Sequence, residues 1–549
     1  MIGILCEDVE KIVVQEFFEL FKTPWEYFVE GRSYDVVIST QNKKIDVITN
    51  LLIVYSSKKV WFDSLEGITV CSELKNLSVE AEGKELPIYG NILSFKGTGE
   101  PLVMIKGNSE VVGFKIDSSK GKIVRVGYDL IEEVTFLLSV GQPIENAYIP
   151  TLEIHIMMLR NWILDAGIPL VEIPPVPTGY NFIACLTHDV DFLGISKHKL
   201  DHTMWGFIYR ASVVSLFNVL KGRLSLKRLI LNWKAVFSLP FVYLGFCKDF
   251  WIQFGKFLEI EKDLKSTFFL IPFKNRAGKR VSSQHPERRA TRYDITDMRE
   301  WVDTLIRFGY EIGVHGIDAW HSYEKAKEEF KQVFEVIKKS EIGIRMHWLC
   351  FNQCSPEVLE NASFCYDSTF GYNETVGYLA GTTQVFRPFG VRNLLELPLH
   401  IQDMALFSSK RLGLTEDQAW RLSEDMFNNL SVYGGVLTIL WHMRSLAPER
   451  LWGDFYVRLL EELRVRRAWI GTALQVVEWF RRRRALSFRE ACFDGNKLRL
   501  SFTYDGKEPD SNLKLRIHLP RLEGSSLSEG RRNYVDIPWN GEREVELSF

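Results

Sequence analysis

Between residues 179 and 484 one pattern recurs: a short apolar run, then a segment of helical period, then another apolar run. The runs lie at 182–186, 266–272, 311–315, 345–349, 384–387, 394–397 and 436–441, and helical periods occupy 294–308, 323–339, 355–362 and 415–431. Continuous apolar runs, as opposed to alternating ones, mark strands buried on both faces. Separated by helices, they predict a parallel sheet or barrel. Such folds collect their chemistry at the carboxyl ends of the strands.

At 549 residues the chain is too long for one core, so two or three domains are expected. Residues 1–170 read as an N-terminal α/β domain of unknown role, with strands near 2–5 and 34–40 and helices near 9–21, 128–140 and 151–165. Its Asp8, Asp35 and Asp129 read as caps and turns. The proline-rich stretch 168–177 reads as a stiff connector. Residues 485–549 alternate with period two around the turn signals Asp494-Gly495 and Asp505-Gly506, which predicts a small antiparallel β-sandwich-like domain.

Lys and Arg number 68 against 70 Asp and Glu, so the bulk charge offers nothing to a polyanion. The run Arg481-Arg482-Arg483-Arg484 reads as a solvated helix end and not as a nucleic-acid patch. Eight scattered cysteines with no CxxC pair read as reduced thiols. Acids at Glu7 and Asp8 argue against a signal peptide, and a cytoplasmic location is expected. Residues 203–247 mix apolar and basic residues. They are either a helical insertion packed on its own domain or a helix lying on an anionic membrane surface, here the inner face.

Four apolar runs end in groups able to do chemistry. The first breaks into Thr187-His188-Asp189-Val190-Asp191; two carboxylates two residues apart can divide metal binding from base catalysis. The second delivers His315, followed by Gly316 and, across a loop, His321. Two imidazoles and one carboxylate make an open divalent site with room for water; His321 alone could equally cap the following helix. The third ends in Arg387-Pro388, where an Arg can orient a carboxylate. The fourth delivers His442.

These elements, in this order, resemble the polysaccharide deacetylases: the NodB homology domain, carbohydrate esterase family 4. The resemblance covers residues 179–480, and the first motif looks like the branch with Thr-[Phe/His]-Asp-Val-Asp. Further segments share that look: Ser266-Thr267-Phe268-Phe269, Arg292-Tyr293-Asp294-Ile295, Arg345-Met346-His347-Trp348-Leu349, Tyr366-Asp367-Ser368-Thr369 and Leu395-Glu396-Leu397-Pro398. The resemblance implies a distorted (β/α) barrel around one divalent metal, usually Zn2+. By position it makes Asp189 the general base, and Asp191, His315 and His321 the metal ligands. Arg387 would hold Asp189, His442 would be the general acid, and Asp403 would tune His442. The interval from His315 to His321 is longer than the family's His-x-x-x-His, and His188 and His347 are the other imidazoles available for the third position.

The implied function is removal of N-acetyl groups from an amino sugar in a glycan or glycan precursor of the cell envelope, with Asp189 deprotonating a metal-activated water and His442 protonating the departing amine. A deformylase or O-acetyl esterase would use the same residues. A silent glycan-binding scaffold is the reading from another class. Trp320, Trp348 and Trp441 could stack on a sugar or pack in the core. Oligomeric state is not legible.

Overall fold

The computed structural model describes residues 1–43, 49–96, 99–108, 110–118, 121–281, 289–494, 497–506, 512–520 and 534–548. Gly495 of the expected turn lies outside them. The chain divides into two compact units: Met1–Gly179 with Tyr378–Phe389 and Trp479–Phe549, and Tyr180–Gly377 with Gly390–Glu478.

The second unit carries the parallel sheet expected from the alternation. Its strands are β1 (Phe182–Val190), β2 (Thr267–Leu270), β3 (Glu311–Gly316), β4 (Gly343–Met346), β5 (Tyr366–Asp367), β6 (Leu395–Glu396), β7 (Ile401–Gln402), β8 (Val436–Leu440) and β9 (Ala468–Gly471). The order is β6-β5-β4-β3-β2-β1-β8-β7, with β9 also on β1, and every pairing is parallel: a mixed α/β unit with a parallel half-barrel sheet. All nine residues of β1 are buried, as a central strand covered on both faces must be. Along it β9 pairs with the first half, β2 with the last and β8 with the middle. Period two then sorts its end: Thr187, Asp189 and Asp191 share one face, and His188 takes the other.

Between β1 and β2 the chain makes an insertion of three helices, α1 (His202–Tyr209), α2 (Ser215–Leu220) and α3 (Leu226–Tyr243), with a π-helical segment, Arg210–Val214, joining the first two. Asp201 caps α1 and Ser225 caps α3. Phe207, Ala211, Ala235, Leu239 and Val242 bury one side of the insertion against Ile195, Trp251 and Ala447.

In the first unit four parallel strands, Ile2–Leu5, Trp25–Tyr27, Val36–Ser39 and Leu51–Tyr55, continue into five strands joined by antiparallel pairings, making one nine-stranded sheet. Asp129 is the expected cap, accepting from the backbone N–H groups of Ile131 and Glu132.

Two expectations differ here. The C-terminal stretch is not a self-standing sandwich. Its strand Lys514–His518 pairs antiparallel with Leu170–Glu172, so residues of the supposed connector complete its sheet. The arginine run is not a solvated end either. Arg483 is buried and donates to the carbonyls of Ile173 and Leu20, and Arg484 pairs with buried Glu16. A buried guanidinium needs such acceptors, and these arginines tie segments of the first unit together.

Candidate metal centre

The carboxyl end of the half-barrel gathers one cluster. Asp191 follows β1, His315 lies in β3 and His347 follows β4. β3 and β4 pair with His315 opposite Arg345, which sets His347 just beyond the edge next to His315. The His315 Nε2 is 3.2 Å from Asp191 Oδ1, and the His347 Nε2 is 3.5 Å from the same oxygen. His315 Nδ1 donates to the Arg345 carbonyl at 3.0 Å, which orients the ring and aims Nε2 at Asp191. Asp191 Oδ1 is buried and has no hydrogen-bond partner.

That orphaned oxygen is the test of fit. A buried carboxylate oxygen left without a donor is costly, and one carboxylate with two imidazoles within 4.8 Å is a donor set for a divalent cation. Without an ion these groups lean on one another: burial would lower the His315 imidazole, but Asp189 and Asp191 raise it above its ordinary value. Burial alone would raise the Asp191 carboxyl, but His315, His442 and His347 outweigh it and hold it well below the carboxylate range. Burial pushes His347 down to about 3, so its imidazole is neutral and able to ligate at neutral pH.

His321, expected as the third ligand, is elsewhere. The longer interval is spent on a turn: the backbone N–H groups of Ile317 and Asp318 donate to buried Glu329, and His321 Nε2 lies 3.2 Å from Asp318. Of the alternatives, His188 has both ring nitrogens engaged, by the Trp441 carbonyl at 2.7 Å and by Glu261 at 2.9 Å. The third group of the cluster is His347.

The guanidinium on Asp189 also differs from expectation. Arg345, fully buried, reaches Asp189 Oδ1 at 3.2 Å and Thr187 Oγ1 at 2.7 Å, and is held from behind by the Ser368 carbonyl and hydroxyl at 2.9 and 2.8 Å. Arg387 belongs to the first unit, where Glu16 accepts its backbone N–H at 2.7 Å and lies 3.7 Å from its Nε. Arg345→Met leaves Asp189 without its counter-ion in a buried site. We expect about 3–5 kcal/mol of stability to be lost in thermal or urea melts, together with activity, whereas Arg387→Ala leaves turnover close to wild type.

With Oδ1 on Arg345, Asp189 keeps Oδ2 facing the cluster, 3.7 Å from His315 Nε2. Across the cluster His442 follows β8 with its Nε2 3.7 Å from Asp191 Oδ2. Its Nδ1 donates to Asp403 Oδ1 at 2.6 Å, and its backbone N–H donates to Asp403 Oδ2 at 2.7 Å. Asp403, just beyond β7, is fully buried. Burial would lower the His442 imidazole, but Asp403 first, with Asp191 and Asp189, raises it to about 9. It is therefore protonated at neutral pH.

Of the three tryptophans, Trp320 and Trp441 are core: both are buried, and Trp441 stacks on Phe455 and Tyr456. Trp348 is partly exposed, directly follows His347, and has a left-handed backbone with φ of 65°. A bulky residue held in that region is strained, a state found where a site demands it.

No family model matches the chain, and no curated protein matches it. Among solved structures it is similar to a protein of Mycobacterium smegmatis described as a polysaccharide deacetylase, at 18% identity and TM-score 0.35 over 56% of this chain and 95% of that one. It is similar also to Puue allantoinase, at 14% identity and TM-score 0.33 over 56% and 93%. A third is the Bacillus cereus polysaccharide deacetylase Bc1974, at 12% and 0.25 over 51% and 88%. At such identities and TM-scores the chemistry has to be argued from the site.

Proposed function

We propose that the chain is a metal-dependent hydrolase that removes the N-acetyl group from an amino sugar in a glycan or glycan precursor. The observation that carries the reading is the placement of two groups facing one cation site: Asp189, held by Arg345 with one oxygen free, and His442, whose imidazole Asp403 raises.

Asp191, His315 and His347 would hold the ion, for which zinc suits a borderline N/O donor set. Such an ion polarises an acyl carbonyl and lowers the pKa of water. Asp189 takes the proton of the attacking water on Oδ2, while Arg345, bonded to Oδ1, keeps the carboxylate aimed. His442 gives its Nε2 proton to the departing nitrogen. An amine cannot leave as an anion, whereas an alcohol leaves far more easily, so an imidazolium held up to about 9 favours an amide over an O-acetyl ester. The partly exposed Trp348 beside His347 offers an apolar face of the kind that stacks on a sugar ring.

The test is acetate release from metal-reconstituted protein on N-acetylated amino sugars, nucleotide sugars and oligosaccharides, with N-formyl and O-acetyl counterparts alongside. The reading expects acetate from at least one N-acetyl sugar at a rate above its O-acetyl counterpart. Release from esters or formamides only would move the reaction to those substrates.

A further inference from the structure

The insertion of α1 to α3 buries one side and leaves the other apolar. On α3 the exposed stripe is Leu226, Ile230, Trp233, Phe237, Phe241 and, just past its end, Leu244, every third or fourth residue; Phe237 is 74% exposed. The opposite stripe, with Leu229, Ala235, Leu239 and Val242, is buried. Trp205, Tyr209, Val213, Phe217 and Leu220 make a second exposed stripe along α1 and α2, and Phe246 beyond α3 is 78% exposed. A soluble surface does not ordinarily carry so many large apolar side chains together.

The charges are as one-sided. From His202 to Lys248 the chain has seven Lys and Arg and no Asp or Glu. Arg210 pairs with Glu449, and Arg228 with Glu416 and Asp454. Lys221, Arg223, Lys227 and Lys234 make no ion pair among the described residues. On a helical projection Lys227 and Lys234 flank the exposed stripe of α3.

We propose that this face docks on the surface of an anionic lipid bilayer. Apolar stripes with basic flanks are the pattern of helices lying in the interfacial plane, where side chains enter the acyl boundary and cations meet headgroups. No helix among the described residues is long and apolar enough to cross a membrane. A second copy fits less well, because an isologous contact would set these four unpaired cations against four more.

The insertion adjoins the metal centre at two points. The chain runs from Asp191 through a short turn, Ile195–Lys197, into α1. Asn232 of α3 accepts the backbone N–H of Glu449, whose carboxylate pairs with Arg444, two residues past His442. Docking therefore holds the half-barrel that carries the site at the lipid surface. If the proposed deacetylation holds, its substrate is carried on a lipid; the docking itself does not depend on that reading.

The test is co-sedimentation of the full-length protein with vesicles of phosphatidylcholine alone or containing phosphatidylglycerol, at low and high salt. We expect binding to the anionic vesicles, weakened by salt as screening shortens. Phe237→Ser with Phe241→Ser, and separately Lys227→Ser with Lys234→Ser, should each lower partitioning roughly tenfold or more, with melting temperature and metal content unchanged. Failure of the wild type to bind anionic vesicles at low salt would overturn the proposal. So would a soluble dimer, or a complex with another protein, that the phenylalanine variants dissolve while vesicle binding is absent.

Discussion

Asp191→Ala, His315→Ala and His347→Ala should each leave a folded protein that no longer retains a divalent ion and hydrolyses nothing. Asp191 Oδ1 is the point on which both imidazoles converge, so its loss removes one ligand and the anchor of the other two. Losing a group that merely orients a ligand costs roughly 10–100-fold in metal affinity or activity, so a ligand itself should cost at least about 1,000-fold in kcat/KM. His321→Ala is the control that separates this geometry from the spacing argument. Its partner is Asp318, and its removal should leave metal content and turnover within a few-fold of wild type. The measurement is metal per chain by elemental analysis beside acetate release. Loss of metal in His321→Ala with retention in His347→Ala would reverse the assignment.

Asp403→Asn should move the alkaline limb of the rate profile to lower pH. The His442 imidazole is raised to about 9, chiefly by Asp403, and a cation on Asp191 offsets part of that rise, so in the loaded enzyme the protonated, proton-donating form is lost as pH rises through a value below 9. Asp403 is the largest cause of that rise. Without its charge the imidazole falls toward the ordinary value of about 6.5 or lower, because burial is no longer opposed by its main counter-charge. Activity at pH 8 should then fall roughly 10–100-fold and recover in part toward pH 6, where the imidazole still protonates. His442→Ala should cost roughly 10²–10⁴-fold with no such recovery, and should cost less on an activated ester whose leaving group needs no proton. The profiles of kcat and kcat/KM for wild type and both variants provide the measurement; an unmoved alkaline limb in Asp403→Asn would remove His442 as the acid.

The sequence displayed those site groups that terminate clean apolar runs. Asp189 and Asp191 end the strand Phe182–Val190, His315 lies in the buried strand Glu311–Gly316, and His442 follows Val436–Leu440. Run and terminus are local, and parallel strand order does the rest. Asp403 was set beside His442 by the resemblance alone; the two meet because Ile401–Gln402 and Val436–Leu440 are neighbouring strands, a pairing no local pattern announces. His347 escaped as a first choice because closeness in sequence favoured His321. In a parallel sheet the neighbour of one strand end is the end of the adjacent strand, here across a whole helix. A sharper signal was present: the arginine inside Gly343-Ile344-Arg345-Met346 must find a carboxylate if that strand is buried, and the carboxylate is Asp189. Arg387 misled for the opposite reason, since its strand-like segment belongs to the first unit and nothing local says so. Pairing of the strand Lys514–His518 with Leu170–Glu172 is equally remote from any local pattern. The insertion lies between these cases. Its two apolar stripes could be read from spacing, but only burial distinguishes the one spent on the core from the one left outside.

The most direct test of the central claim is anomalous diffraction at the zinc edge from crystals of the metal-reconstituted protein. The account expects one strong peak per chain bounded by Asp191 Oδ1, His315 Nε2 and His347 Nε2, with His442 and Asp189 facing it. A peak on His321 and Asp318, or no peak at the carboxyl end of the half-barrel in protein that releases acetate, would contradict it.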